Sequence, residues 1–351
     1  MQQFKLAERT EAIRRGLKFI YQLALDPEHF GEYGSDLLYC FYFFAAMPED
    51  DSLRRTAKKM GRERARQWRR NYPQVPANAD AGDIFYYIHG SDAADRLGIR
   101  NQRFKQQLKQ AAANFSARDF LSFDPTREPP PQDVPAACQC GFYNLRGRRT
   151  CAVCRKRLSM LSRYKVWYDA LTMTYTGERY GVEVGARFVD CLKWLSVMRP
   201  YRGREMDSNP DFYDTVYAVT HVVYTLNDYD ASRLSPRLLP DEFAFLKTHA
   251  KEAILMEDAE MLGEFLDSLM VFGLTDDMPL IRRGMNYLLS QQNEDGSWGA
   301  TDADIYTRYH STWTAMGGLL VYAWHGGERL SFPELAPMLE QFARHQYHLA
   351  S

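Results

Sequence analysis

Four of the six cysteines in this 351-residue chain fall within one 17-residue window, Cys138-Gln-Cys140-Gly141-Phe-Tyr-Asn144 followed by Cys151-Ala-Val-Cys154. Two thiolate pairs so close in sequence converge on a tetrahedral ion, which pins this stretch into a small closed knuckle. Four sulfur ligands leave no open coordination position, so the expected cofactor is a structural zinc. Cys40 and Cys191 stand alone in apolar helical segments. That usage argues for metal in a reducing compartment and against disulfides.

Outside the knuckle, apolar residues recur at helical spacing and no alternating strand stands out, which predicts an all-α fold. The pattern predicts helices near 8–24, 35–47, 50–70, 82–96 and 100–115 before the cysteines. After them it predicts 156–177, 183–198, 210–228, 240–256, 258–272, 276–291, 309–325 and 332–348. Asp26-Pro27, Pro48, Pro73, Pro200, Pro210 and Pro240 fall between these helices or at their first positions. The proline-rich stretch at 123–136 should run extended into the knuckle. The domain reading is therefore a first helical part over 1–122, connector and zinc ribbon over 123–158, and a second helical part over 159–351.

No apolar run approaches the ~20 residues that cross a bilayer, and the N-terminus lacks a signal peptide's apolar stretch, so a cytoplasmic location is expected. The net charge of -1 conceals an asymmetry: 29 Lys/Arg against 19 Asp/Glu over 1–175, and 15 against 26 over 176–351. Such a split steers an anionic ligand or holds two halves together, and both readings stay open.

Two stretches read as a repeat. Arg15-Gly16-x-x-Phe19-Ile20 leads to Gly31-Glu-Tyr33-Gly34, and Arg283-Gly284-x-x-Tyr287-Leu288 leads to Gly296-Ser-Trp298-Gly299. The second copy, with Gln292, resembles the glutamine-tryptophan repeat of squalene-hopene and oxidosqualene cyclases. In that motif an outer helix ends in a tight turn, with Gln292 and Trp298 bracing it against neighbouring helices. The following Tyr309-His310-Ser-Thr-Trp313 to Gly317-Gly318 resembles the last inner helix of protein prenyltransferase β-subunits. Together these resemblances imply an α/α toroid of alternating outer and inner helices. The knuckle resembles zinc ribbons and Ran-binding-protein-type zinc fingers, departing from them in its Cys-x-Cys first pair.

Four sets of residues are candidates for chemistry. Asp214, Tyr217, His221, Thr225 and Asp228 recur at three- and four-residue spacing on the helix at 210–228. Glu260, Glu264 and Asp267 form a second polar stripe on 258–272. His310 stands where the resemblance places the zinc-binding His of prenyltransferases, although their Asp-x-Cys partner is absent. Tyr86, Tyr87 and His89, with Glu32, Tyr33 and Asp36, would add an aromatic wall, core packing being the plainer role for most of them. His221, His310 and Glu264 could also share a second metal, zinc or iron.

The first functional expectation is an enzyme acting on a hydrophobic small molecule, terpenoid- or polyketide-like, by acid/base or metal-assisted chemistry. Its catalytic set would be His221, His310, Glu264, Asp214, Asp228 and Tyr217. The resemblance implies an acid to start a carbocation, with aromatic faces to stabilise it. The Asp-x-Asp-Asp motif of class II cyclases is matched only loosely, by Asn227-Asp228-Tyr229-Asp230. A glycan lyase or hydrolase on the same scaffold is one alternative. The other is a zinc-ribbon adaptor whose basic half, including Arg146, Arg148, Arg149, Arg155, Lys156 and Arg157, binds RNA or an acidic protein. A solvated outer face is the simpler reading of those charges.

Overall fold

The computed structural model describes residues 2–204, 208–325 and 327–347; His348, the last residue of the expected helix 332–348, lies outside them. The described residues are mostly helical, and their only β pairing is in isolated bridges. No helix among them is long and apolar enough to cross a membrane.

The helices are α1 (Gln2–Leu25), α2 (Pro27–Ala46), α3 (Asp51–Asn71), α4 (Ala81–Arg96), α5 (Gln102–Ala112), α6 (Ala117–Leu121), α7 (Arg163–Tyr180) and α8 (Phe188–Leu192). They continue with α9 (Leu195–Met198), α10 (Phe212–Leu226), α11 (Pro240–Leu255), α12 (Ala259–Val271), α13 (Pro279–Ser290), α14 (Ile305–Gly318) and α15 (Ala336–Tyr347). Side-chain caps set many of the starts. Asp26, Asp50, Ser162, Asp258 and Asp304 each accept a hydrogen bond from a first-turn backbone N–H.

Several boundaries depart from the periodicity, among them the end expected at 325, since α14 stops at Gly318. α2 begins at Pro27 and not near 35, because Asp26 caps it and Pro27 opens it. The stretch Gly31–Gly34 is thus inside a helix, unlike the turn at Gly296–Gly299, so the two copies of the repeat share the preceding helix but not the turn. Residues 156–162 are extended, closing the knuckle through bridges Thr150 to Arg157 and Pro135 to Met160. The expected helix at 183–198 is the two short pieces α8 and α9. A further departure is at α10, which stops at Leu226 and leaves Asp228 outside the helix.

The chain divides into two compact units, one of residues 1–74, 89–102 and 223–351, the other of 75–88 and 103–222. In the first unit, α12 packs on α14, α11 and α13, while α2 packs on α3 and α1. The approach of α12 to α14 is close because it is made by glycines: a Cβ on Gly263 would lie 2.3 Å from the Thr314 carbonyl oxygen, and one on Gly318 would lie 3.0 Å from the Gly263 Cα. The turn between α13 and α14 is braced as the sequence suggests. Gln292 Nε2 donates to Ala12 O at 2.8 Å and to Gly296 O at 2.9 Å, and buried Trp298 donates to Leu288 O at 2.7 Å. Gly296 has φ 91°, and its missing side chain makes room for the Arg15 carbonyl, 2.6 Å from where a Cβ would stand.

In the second unit, α7 packs on α6 and α8. The cysteine knuckle belongs to this unit.

Candidate functional site

The close α12–α14 contact brings two polar positions together in the first unit. His310 Nδ1 lies 2.8 Å from Glu260 Oε1, and Ser311 Oγ donates to the other carboxylate oxygen at 3.0 Å. Both partners of the ion pair are mostly shielded, His310 19 % and Glu260 16 % exposed. Burial works against a charge on His310. The hydrogen bond and charge of Glu260, with Glu264 and Asp36 further off, outweigh it and push the imidazole up to about 9. His310 is therefore a cation at neutral pH. Tyr306 stacks on its ring, with centroids 5.4 Å apart, and the Trp313 ring stands edge-on.

One residue before His310, Tyr309 donates its hydroxyl to Asp36 Oδ2 at 2.8 Å, and His89 Nδ1 approaches the other oxygen at 3.2 Å. Burial raises the Asp36 pKa, yet His89, Tyr309 and the charge of His310 hold it below the usual carboxylate range. Tyr39 stacks on His89 at 4.6 Å, and Tyr33 lies against Tyr309. Burial, followed by Glu32 and Asp304, pushes the Tyr33 hydroxyl up to about 12. An imidazolium–carboxylate pair thus adjoins a second carboxylate within an aromatic surround.

Further along α12, Glu264 is buried and Asp267 accepts from the Tyr322 hydroxyl. Asp267 also hydrogen-bonds Asp230, itself held by Asn227 Nδ2 at 2.9 Å. Burial, then the charge of Asp230, raises Asp267 well above the carboxylate range, and burial raises Asp230 to about 6. Two adjacent buried carboxyls cannot both ionise cheaply, so they share a proton. Asp230 reaches this place through a left-handed turn, with Asp228, Tyr229 and Asp230 at φ 60°, 50° and 66°. Left-handed backbone costs roughly 1–2 kcal/mol per residue, less for Asp and Asn, and here the Asn227–Asp230 bonds hold it in place.

The second unit carries the rest of the expected set. Asp214 accepts from Ser162 Oγ at 2.7 Å. His221 Nδ1 lies 2.8 Å from the carbonyl of Tyr217 on its own helix, and Tyr168 packs on both rings. Lys165 Nζ contacts both oxygens of Asp169 at 2.6 Å. The α7 residues Lys165, Tyr168 and Asp169, with the capping Ser162, escaped the sequence reading, although their spacing marks one helical face. Tyr87 packs on Phe104, as core. The expected catalytic set is thus divided: His310, Glu264 and Asp228 belong to the first unit, and Asp214, Tyr217 and His221 to the second.

Among the described residues, Cys138, Cys140, Cys151 and Cys154 are the group of side chains able to hold a metal, their sulfurs within 4.8 Å of one another. The pairs Cys138–Cys154 and Cys140–Cys151 stand 3.4 and 3.7 Å apart. A disulfide is far shorter, about 2.05 Å. A tetrahedral ion with metal–sulfur bonds of about 2.3 Å needs its sulfurs about 3.8 Å apart, so the donor set fits. The backbone N–H of Cys154 first, against burial, then the Asn144 amide and the N–H of Val153, pull the Cys151 thiol down to about 6. Such N–H···S bonds favour the thiolate that a metal requires.

Comparison with known protein families, with curated proteins and with solved structures gives no match for this chain.

Proposed function

We propose that the chain is an enzyme acting on a hydrophobic small molecule, terpenoid- or polyketide-like, by acid/base chemistry on an α/α toroid scaffold. The observation that carries this reading is the His310–Glu260 pair, a shielded imidazolium inside an aromatic surround. The pair joins the polar stripe of α12, through Glu260, to His310 and Ser311 on α14. In this reading His310 and Glu260 exchange or orient a proton, Asp36 and Tyr309 hold the neighbouring charge, and Tyr306 and Trp313 offer faces to an apolar or cationic group. The Asp267 carboxyl, raised well above the usual range by burial and by the charge of Asp230, is a second acid in the same unit.

The ion in the knuckle is proposed to be zinc, structural in role because all four positions are thiolates. Reduced thiolates suit a cytoplasmic location.

The test is incubation of the purified chain with a panel of isoprenoid alcohols, isoprenoid diphosphates and aromatic polyketides, followed by mass spectrometry of the products. Turnover of a panel member that falls at least about a hundredfold in both His310→Gln and Glu260→Gln supports the assignment. Turnover that survives both substitutions places the chemistry elsewhere.

A further inference from the structure

The four cysteines line the inside of the knuckle and leave its outside without a role. Phe142, Tyr143, Leu145 and Val153 are 42, 82, 79 and 62 % exposed. The knuckle's own core, Cys138, Cys151 and Leu158 with Cys154 and Met160 against it, takes in none of them. The Ala152 N–H donates to Asn144 Oδ1 at 2.9 Å, which ties the segment carrying Tyr143 and Leu145 to the turn carrying Val153. Scattered apolar residues on a surface are ordinary, but a cluster on so small a module marks an interaction site.

Within the knuckle's own sequence the charge has one sign. No acidic residue occurs between Cys138 and Met160. Arg146 is neutralised by Glu128 and Asp133 from the connector. Arg148, Arg149, Arg155, Lys156 and Arg157 are exposed and make no ion pair among the described residues. Five unneutralised cations flank four apolar side chains.

We propose that the outer face of the knuckle docks an acidic amphipathic segment of a partner protein. Its apolar residues seat on Tyr143, Leu145 and Val153, and its carboxylates meet the flanking arginines. Exposed aromatic side chains among cations also suit a single-stranded nucleic acid, whose bases stack on them. The aliphatic pair decides between the two: Leu145 and Val153 offer neither a π face nor a hydrogen bond, whereas apolar anchors ringed by charge are what a peptide helix engages. Charge complementarity then speeds encounter and excludes basic partners.

Fluorescence anisotropy on the full zinc-loaded chain tests this with three labelled probes: a short Glu/Leu peptide with one apolar helical face, a scrambled peptide of the same composition, and an oligouridylate. The amphipathic peptide should bind more tightly than both others. In the Leu145→Ser, Val153→Ser double variant its affinity should fall at least about tenfold, with zinc content and helical circular dichroism unchanged. Equal binding by the double variant, tighter binding of the oligouridylate, or no binding of the amphipathic peptide each overturns the proposal.

Discussion

Gly263→Ala is a sharp test of how the His310–Glu260 pair is held. In an exposed helix this change stabilises by about 1 kcal/mol through helix propensity. Here the new Cβ would stand 2.3 Å from the Thr314 carbonyl oxygen and 2.7 Å from the Ala315 nitrogen, both backbone atoms that no rotamer change can move. Carbon and oxygen need roughly 3.3 Å, so α14 must shift by about 1 Å. Overpacking of this kind costs up to about 3 kcal/mol, which leaves a net loss near 2 kcal/mol. For a unit of this size that lowers the melting temperature by about 4–8 °C. Glu260 lies three residues before Gly263 and His310 four before Thr314, so the same shift loosens their 2.8 Å contact. Calorimetry should therefore report destabilisation, and the His310 imidazole should titrate below its wild-type value. A variant as stable as wild type, with His310 unaltered, would refute the close α12–α14 approach as what sets the pair.

Further predictions concern the acid pair, the knuckle and the braced turn. The folded-state pKa values of Asp267 and Asp230 are raised, so their contribution to stability is present below the unfolded carboxylate range and is lost as pH rises through the folded values. Asp267→Asn should flatten that decline, and urea unfolding between pH 4 and pH 8 checks it; a decline as steep as wild type counts against a shared proton. If the knuckle holds zinc as proposed, Cys151→Ser should abolish zinc uptake there, read by plasma mass spectrometry, while helical circular dichroism stays near wild type; retained zinc would exclude Cys151 as a ligand. Trp298→Ala removes a fully buried ring and its bond to Leu288 O, and should cost about 3–5 kcal/mol in denaturant unfolding.

Much of the helical architecture was legible because proline, glycine and capping residues punctuate a strong 3.6-residue period. The departures have local causes. Gly31 and Gly34 look like a turn, but helix α2 runs through them, fixed by the Asp26 cap and by the burial of Leu37, Leu38, Phe41 and Phe44. Residues 156–162 carry a helical pattern yet are extended, because the knuckle recruits them to close itself. The polar stripe of α12 was legible from spacing, and so was the group of four cysteines able to hold a metal. The pairing of Glu260 with His310 was not, since 50 residues separate them and nothing local fixes which stripe meets which. The pairing of Asp230 with Asp267 was equally hidden: the place of Asp230 depends on a left-handed turn formed by non-glycine residues, which periodicity does not encode.

The central claim, that His310 is a cation held by Glu260 in a shielded aromatic setting, is tested most directly by imidazole NMR titration of the zinc-loaded chain. The account predicts a pKa of about 9 for His310. It also predicts a clear fall in Glu260→Gln, where burial then acts with less opposition. A wild-type value near the free imidazole's ~6.5, or one unchanged by Glu260→Gln, would contradict it.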